Sequence, residues 1–364
     1  MEYTFDDVLE VKNGKNQKAV ENPYGKYPIY GSGGVMGYAE DYICDADTVI
    51  IGRKGSINNP IYVAEPFWNV DTAFGLSAKK EYLLPRYLFY FCKKFDFEKL
   101  NKTVTIPSLT KSDLLKIKID LPDKEEQQNV IDRLSKIESI IAHRKQELTV
   151  LDDLIKARFV EMFGDPITNP MGWIETTIGD ECFYIKDGPH KSLTDIGKEN
   201  GGHPFISVRN IVNGYIDFSS ARYISDEDFA DAIKKCHPEK GDMLYSKGGT
   251  TGIAKLIDID EEFANWVHVA VLKFDKTKLN GIFFENMLNG DYCYEQSQRL
   301  TKGIANRDLV LSAMAQIKMY RPPMELQEQF ADFVHQVDKS KVVVKKALDE
   351  AQLLFDSLMQ KYFG

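Results

Sequence analysis

The 364-residue chain has no run approaching the roughly 20 apolar residues that cross a bilayer. Its opening, MEYTFDDVLEVK, lacks the basic-then-apolar layout of a signal peptide, so a cytoplasmic location without membrane contact is expected. Cysteine is scarce. The five residues, Cys44, Cys92, Cys182, Cys236 and Cys293, are odd in number and never form a CxxC pair, which argues against a disulfide framework and a zinc site. Of six histidines only His190, in DGPHKS, lies in a polar loop, and nothing assembles a nuclease, a triad or a metal centre. No catalytic residue, metal or cofactor is expected. The glycine-rich segments GSGGVMG (31–37) and GGTTG (248–252) lack the following Lys-Ser/Thr of a P-loop, and neither is a GxGxxG after a first strand, so they read as tight turns.

An excess of basic charge is also missing. Lys and Arg number 46 against 55 Asp and Glu, a formal charge of −9. The balance is even along the chain: residues 1–122 carry 16 basic and 16 acidic side chains, 123–163 carry 7 and 9, 164–322 carry 18 and 23, and 323–364 carry 5 and 7. A nucleic-acid binder of this composition must use local basic loops on an acidic body, with partners supplying phosphate affinity. The hydrophobic share of 43% is enough for two or three compact domains with their own cores.

What the sequence does contain is a repeat at an offset of 200. Residues 100–164 align without a gap on 300–364, with fifteen of 65 columns identical. The shared columns include Pro122/Pro322, Glu125/Glu325, Gln127/Gln327, Leu148/Leu348 and the closing Phe163-Gly164/Phe363-Gly364. Each copy opens with a strand-like run (KIKIDLP, IKMYRPP) ended by proline, followed by acidic and Gln residues suited to a helix first turn. A 4-3-4-3 spacing then selects Val130, Leu134, Ile137, Ile141, Arg144, Leu148, Leu151, Ile155, Arg158 and Met162 in the first copy. In the second it selects Phe330, Val334, Val337, Lys341, Val344, Leu348, Ala351, Phe355, Leu358 and Tyr362. Apolar seams sustained over four heptads predict two long helices, each spanning about 50 Å. A single stripe would suit packing on a domain, but two matched seams favour each other, so an antiparallel pair is expected. Arg144, Arg158 and Lys341 should lie near the ends of the paired region or snorkel outward.

The segments ahead of each helix share a mixed α/β plan. ADTVIIGRKGS and KGDMLYSKGGTTGIAKLI each read as a strand running into a basic, glycine-bounded turn; FWNVDTAFGL and FANWVHVAVLKF as aromatic strands; LLPRYLFYFCKKFDFEKL and LNGIFFENMLNGDYCYEQSQRL as helices. The predicted architecture is therefore a pseudo-two-fold tandem repeat of the α/β (mixed α+β) class. Its parts are a domain at 1–122, a helix at 123–163, a second domain at 164–322 and a second helix at 323–364. Loop residues with the chemistry of base edges and phosphates are Ser32, Arg53, Lys54, Ser56, Asn58, Asn59, Asn101, Lys102 and Thr103 in the first domain. In the second they are His190, Lys191, Arg209, Asn210, Lys247, Thr250, Thr251, Arg299, Lys302, Asn306 and Arg307. As sets on equivalent loops these are candidate DNA-binding residues; singly, each is equally a solvated surface residue.

The helix entrances LPDKEEQ and RPPMELQEQ, the ending EMFGDP and its echo KYFG, the turn GRKGSINNP and the segment WIETTIGDECFYIKDGPH together resemble the specificity subunits of type I restriction-modification enzymes, over the whole chain. That resemblance implies two target-recognition domains, each reading one half of a split site in double-stranded DNA, joined by two spacer helices that pair as an antiparallel coiled coil. It implies a non-catalytic subunit that docks two modification (methyltransferase) subunits and, for cleavage, two restriction subunits. The alternatives are a fused catalytic methyltransferase or nuclease, and a helical scaffold with no DNA role. NPYG at 22–25 is only partly similar to the Asn-Pro-Pro-Tyr of amino-methyltransferases and has no glycine-rich cofactor loop beside it. If helices of this length set the separation of two readers, shortening either by whole heptads should change the spacer before either half-site, as mapped by DNA selection.

Overall fold

The computed structural model describes residues 1–101, 108–304 and 306–364. It divides into two compact units, residues 1–146 with 344–364, and residues 147–343. No described helix is long and apolar enough to cross a membrane.

The first unit contains β1 (Glu2–Thr4), β2 (Leu9–Asn13), β3 (Tyr27–Gly31), β4 (Gly34–Ala39), β5 (Thr48–Gly52), β6 (Ile61–Val63), β7 (Trp68–Asn69), β8 (Ala73–Ala78), helix α1 (Pro85–Lys94), β9 (Lys118–Asp120) and the first part of α2 (Lys124–Phe163). Its described strands form an antiparallel sheet β2-β8-β5-β6, a sheet β4-β3-β7 in which β3 and β7 run parallel, and a ribbon β1-β9. The continuous apolar run of β5, TVIIG, is buried along its length because strands flank it and α1 covers it.

The second unit repeats this plan. It contains β10 (Ile174–Thr177), β11 (Cys182–Asp187), β12 (His203–Ile206), β13 (Arg222–Ile224), α3 (Asp226–Lys235), β14 (Met243–Ser246), β15 (Ala254–Leu256), β16 (Ala264–Asn265), β17 (Val269–Phe274), α4 (Gly281–Asn289), α5 (Asp291–Leu300), β18 (Lys318–Arg321) and the first part of α6 (Met324–Phe363). The sheets are β11-β17-β14-β15, β13-β12-β16 with β12 and β16 parallel, and β10-β18, matching the first unit strand for strand. All five cysteines are buried and unbridged. Burial pushes the thiols of Cys44, Cys182 and Cys293 up to about 12, which removes them as nucleophiles at neutral pH.

The two 40-residue helices contain no Pro or Gly. Asp123 accepts a bond from the Glu126 amide (2.9 Å), Glu125 and Glu126 suit the positive end of the helix dipole, and Gly164 ends α2 at φ +76°, a conformation open to glycine. In the second unit Asp152 of α2 meets Lys341 of α6 while Phe159, further along α2, meets Phe330, further back along α6, so the helices run antiparallel. Phe163 packs on Phe283 and Phe330, at 4.9 and 5.6 Å between ring centres. In the first unit the equivalent Phe363 packs on Tyr87 at 5.0 Å, and Arg133 donates to the Tyr362 hydroxyl (2.9 Å). Tyr90 donates to Glu138 (2.6 Å); burial and that carboxylate push its phenol up to about 12. Each compact unit is thus completed by the end of the other copy's helix.

The charged seam positions are half-buried. Lys341 stands in the middle of α6 rather than at an end, its side chain 24% exposed, and its ammonium reaches Asp152 (2.7 Å) and Asp338 (3.3 Å) at the rim. Arg158 bonds Glu161 (2.8 Å) and lies 5.6 Å from the centre of the Phe333 ring.

Two readings of the sequence change. Each aromatic strand pattern is broken at an asparagine: the Asn69 amide donates to the Ala73 carbonyl (3.1 Å) and that of Asn265 to Val269 (2.7 Å), closing a turn between two short strands. The helix expected over LNGIFFENMLNGDYCYEQSQRL is two helices meeting at Gly290.

One repeat column explains how each long helix is fixed to its sheet domain. Gln127 is 0% exposed; its Oε1 accepts the Leu84 amide at the start of α1 (2.9 Å), and its Nε2 donates to the carbonyls of Tyr82 (2.9 Å) and Pro122 (3.0 Å). Gln327, also 0% exposed, accepts from the Asn280 amide at the start of α4 (2.9 Å) and donates to Lys278 (3.1 Å) and Pro322 (2.8 Å). Removing either amide strands one N–H and two carbonyls away from water. Gln127→Leu and Gln327→Leu should each cost about 3 kcal/mol in urea unfolding.

Candidate nucleic-acid interface

The candidate site grows from one backbone turn that both units share. In the first unit the amides of Arg53 and Lys54 donate to the Thr72 carbonyl (2.8 and 3.3 Å), and the Leu109 amide donates to the Arg53 carbonyl (2.9 Å). In the second, Lys247 and Gly248 donate to the His268 carbonyl (2.8 and 3.3 Å), and Leu309 donates to Lys247 (2.7 Å). The basic turn after the central strand is therefore locked in both units to the asparagine turn and to the start of the shared repeat.

In the second unit this meeting point borders a cleft of about 590 Å³, lined by Ser207, Val208, Arg209, Gly248, Gly249, Trp266, His268, Asn306 and Arg307. A recess of about 170 Å³ shares Ser207, Arg209 and Trp266 and adds Phe205 and Arg222. Among the described residues no carboxylate lines either space, so what faces them is cationic, aromatic and rich in N–H donors. Glycine is required at 248, where a Cβ would fall 1.9 Å from His268 Nδ1, and favoured at 249, where φ is +69°. Arg209 is anchored by a bond to the Ser220 carbonyl (2.6 Å), and Arg307 by Gln298 and by Thr251 Oγ1 (3.4 Å). Both guanidinium groups keep further donors free of these bonds.

Of the residues named from sequence, Arg209, Asn306 and Arg307 line the cleft. Three turn inward. Asn210 is buried and bonds Ser207, Asp217 and Ser220; Thr251 is buried against Thr301; Lys247 is buried between Asp308 (3.0 Å) and Asp187 (3.5 Å). Lys247 therefore holds the turn instead of presenting its charge at the surface. Thr250, His190 and Lys302 are exposed, Lys191 pairs with Asp228, and Arg299 pairs with Glu295 on its own helix. In the first unit Arg53, Lys54, Ser56 and Asn59 are exposed and Ser32 is half-buried beside Gly52. Asn58 bonds Asp96 and the Phe97 amide, and Asn101 accepts from the Ser108 amide, so both shape loops. Lys102 and Thr103 lie outside the described residues. Sequence reasoning missed Ser207, Arg222, Trp266 and His268. The alignment of FWNVDT on FANWVH carried a signal for the last two, which stand one and three places after the shared asparagine.

Two topologically equal α/β domains, each followed by a 40-residue helix and each built around the same loop junction, define a tandem-repeat recognition architecture. The model of the type I restriction modification DNA specificity domain matches residues 1–151 and 170–351. The chain belongs to that family and is a specificity subunit of a type I restriction-modification system. The specificity subunit of the type I restriction enzyme MjaIX from Methanocaldococcus jannaschii is 22% identical over 330 residues, covering 85% of this chain and 74% of that protein. That of MjaVIII, from the same organism, is 22% identical over 326 residues, covering 85% and 73%. The fold is similar to the crystal structure of a type I S subunit from M. genitalium (TM-score 0.64, 18% identity, 100% of this chain and 96% of that one). It is also similar to a chain solved in work on complex assembly and conformational transition of the type I R-M system (TM-score 0.56, 16% identity, 100% and 97%).

The inward Lys247 and the exposed Arg209 should separate in a thermal melt. Lys247→Ala leaves two carboxylates facing each other's field and should cost about 2 kcal/mol, whereas Arg209→Ala should stay within about 0.5 kcal/mol.

Proposed function

We propose that the chain reads a split site in double-stranded DNA, one half-site per sheet domain, taking the domains as residues 1–122 and 164–322, and performs no catalysis itself. The observation that carries this reading is the shared loop junction with an unlike lining: a constant frame able to hold different base-reading side chains. Arg209 and Arg307 supply forks suited to base edges or phosphates, and Arg53 and Lys54 supply the corresponding charge in the first domain. Among the other loop residues named from sequence, the exposed Ser56, Asn59, His190, Thr250 and Lys302 complete the proposed DNA surface around them. With a formal charge of −9, the chain leaves much of the phosphate affinity to partners. These are proposed to be two modification subunits and, for cleavage, two restriction subunits, working in the cytoplasm.

The helices favour such docking. Leu154 and Leu354 occupy the same column of the repeat and are 45% and 51% exposed, apolar side chains on two equivalent helix surfaces that could receive two identical subunits. Leu154→Glu with Leu354→Glu should reduce co-purification with the modification subunit at least tenfold while leaving the fold intact by circular dichroism.

Exchanging residues 164–322 for another such domain should replace one half-site and keep the other, read by methylation sequencing. The competing reading, a fused methyltransferase, requires S-adenosylmethionine binding by the isolated chain. Calorimetry is expected to detect none, and a measurable affinity would sink the non-catalytic assignment.

A further inference from the structure

We infer that the asparagine turn is the base-selecting element of each unit, and that its two versions read edges of opposite polarity: a guanine through Trp266 and His268 in the second unit, an exocyclic amino group through Asp71 in the first. This deepens the DNA-reading proposal and rests on it.

The backbone of the turn is the same in both units. The Val70 amide donates to the Tyr30 carbonyl (3.0 Å) and Trp266 to Ile206 (2.8 Å); Ala73 donates to Val70 (3.1 Å) and Val269 to Trp266 (2.9 Å). The buried amides of Asn69 and Asn265 close it identically, and the carbonyls of Thr72 and His268 hold the basic turn. Residues 70–72 and 266–268 are therefore matched positions, yet they read Val-Asp-Thr in one unit and Trp-Val-His in the other. A conserved frame with every side chain changed is what two readers of different sequences need.

The chemistry follows from what each version presents. Trp266 belongs to the lining of both recesses, so it forms the wall they share, and its ring meets His268 edge-on at 4.8 Å and 78°. Nδ1 of His268 and Nε1 of Trp266 are both buried without a partner among the described residues, and Nδ1 lies against Gly248, which leaves His268 Nε2 as the bonding nitrogen and the Trp266 ring as the wall beside it. With Arg209 and Arg307 in the same lining, the cleft offers donors and lacks carboxylates among its described residues. It therefore suits the base edge that carries two acceptors, O6 and N7 of guanine. In the matching turn the first unit exposes Asp71, at the column of Val267, and Thr72, at the column of His268, beside Arg53, whose guanidinium approaches the Asp71 carbonyl (3.5 Å). A carboxylate accepts, so its counterpart is the amino group of cytosine or adenine.

The test selects DNA from a library randomised in both half-sites, using the chain assembled with its modification subunits. The native chain should enrich a guanine in one half-site, and His268→Ala should lower the preference for that guanine about tenfold while the other half-site stays unchanged. Trp266→Ala, which removes the wall that the two recesses share, should loosen the same position. Asp71→Ala should loosen a cytosine or adenine in the opposite half-site. Uniform weakening across all sequences, no loosening, or loosening at a base of the other polarity overturns the inference while leaving DNA reading intact. Failure of the native assembly to enrich any half-site overturns the reading beneath it.

Discussion

A buried glutamine used twice holds this molecule together in the sense that matters for its function. Gln127 and Gln327 each satisfy the amide of the residue that caps a domain helix and two carbonyls, one of them the proline carbonyl at the entrance of a long helix. A buried amide with all its partners in place is costly to perturb and has one geometry, so it fixes the angle and register at which each helix leaves its sheet. Hydrophobic packing alone would tolerate sliding; three directional bonds in a buried setting do not. Everything further along the helices inherits that starting point.

The helix exits complete the arrangement. Phe163 enters the core of the second unit through Phe283 and Phe330, and Phe363 enters the core of the first through Tyr87. Because each unit's core includes the far end of the other copy's helix, neither sequence repeat is a self-sufficient folding unit as written. The same logic of constant frame and variable filling recurs at the proposed reading loops, where Asn69 and Asn265 close one turn around different side chains. Stability is carried by repeated columns; recognition is proposed for the columns between them.

The features legible in the sequence were those with a period or a repeat. The Pro-x-x-Glu-x-Gln entrance, the apolar seams and the Phe-Gly exit predicted two long helices and their antiparallel pairing, and the match of the two domains followed from their order. What escaped was decided by side-chain contacts between residues remote in sequence. Lys247 in a glycine-rich turn reads as a surface cation until Asp187 and Asp308 are brought beside it. The break at Asn265 hides inside a β-like run because a two-residue period does not reveal an amide folding back on its own backbone. Trp266 and His268 looked like strand aromatics for the same reason, and Arg222 had no local signal at all.

One frame, duplicated, is proposed to read two unlike half-sites. The most direct measurement is base-resolution mapping of methylated positions in a host carrying the modification partner, with and without this gene. The expected result is a new motif made of two different half-sites separated by a fixed stretch of unspecified bases. A continuous motif, or a palindrome with identical halves, would contradict it.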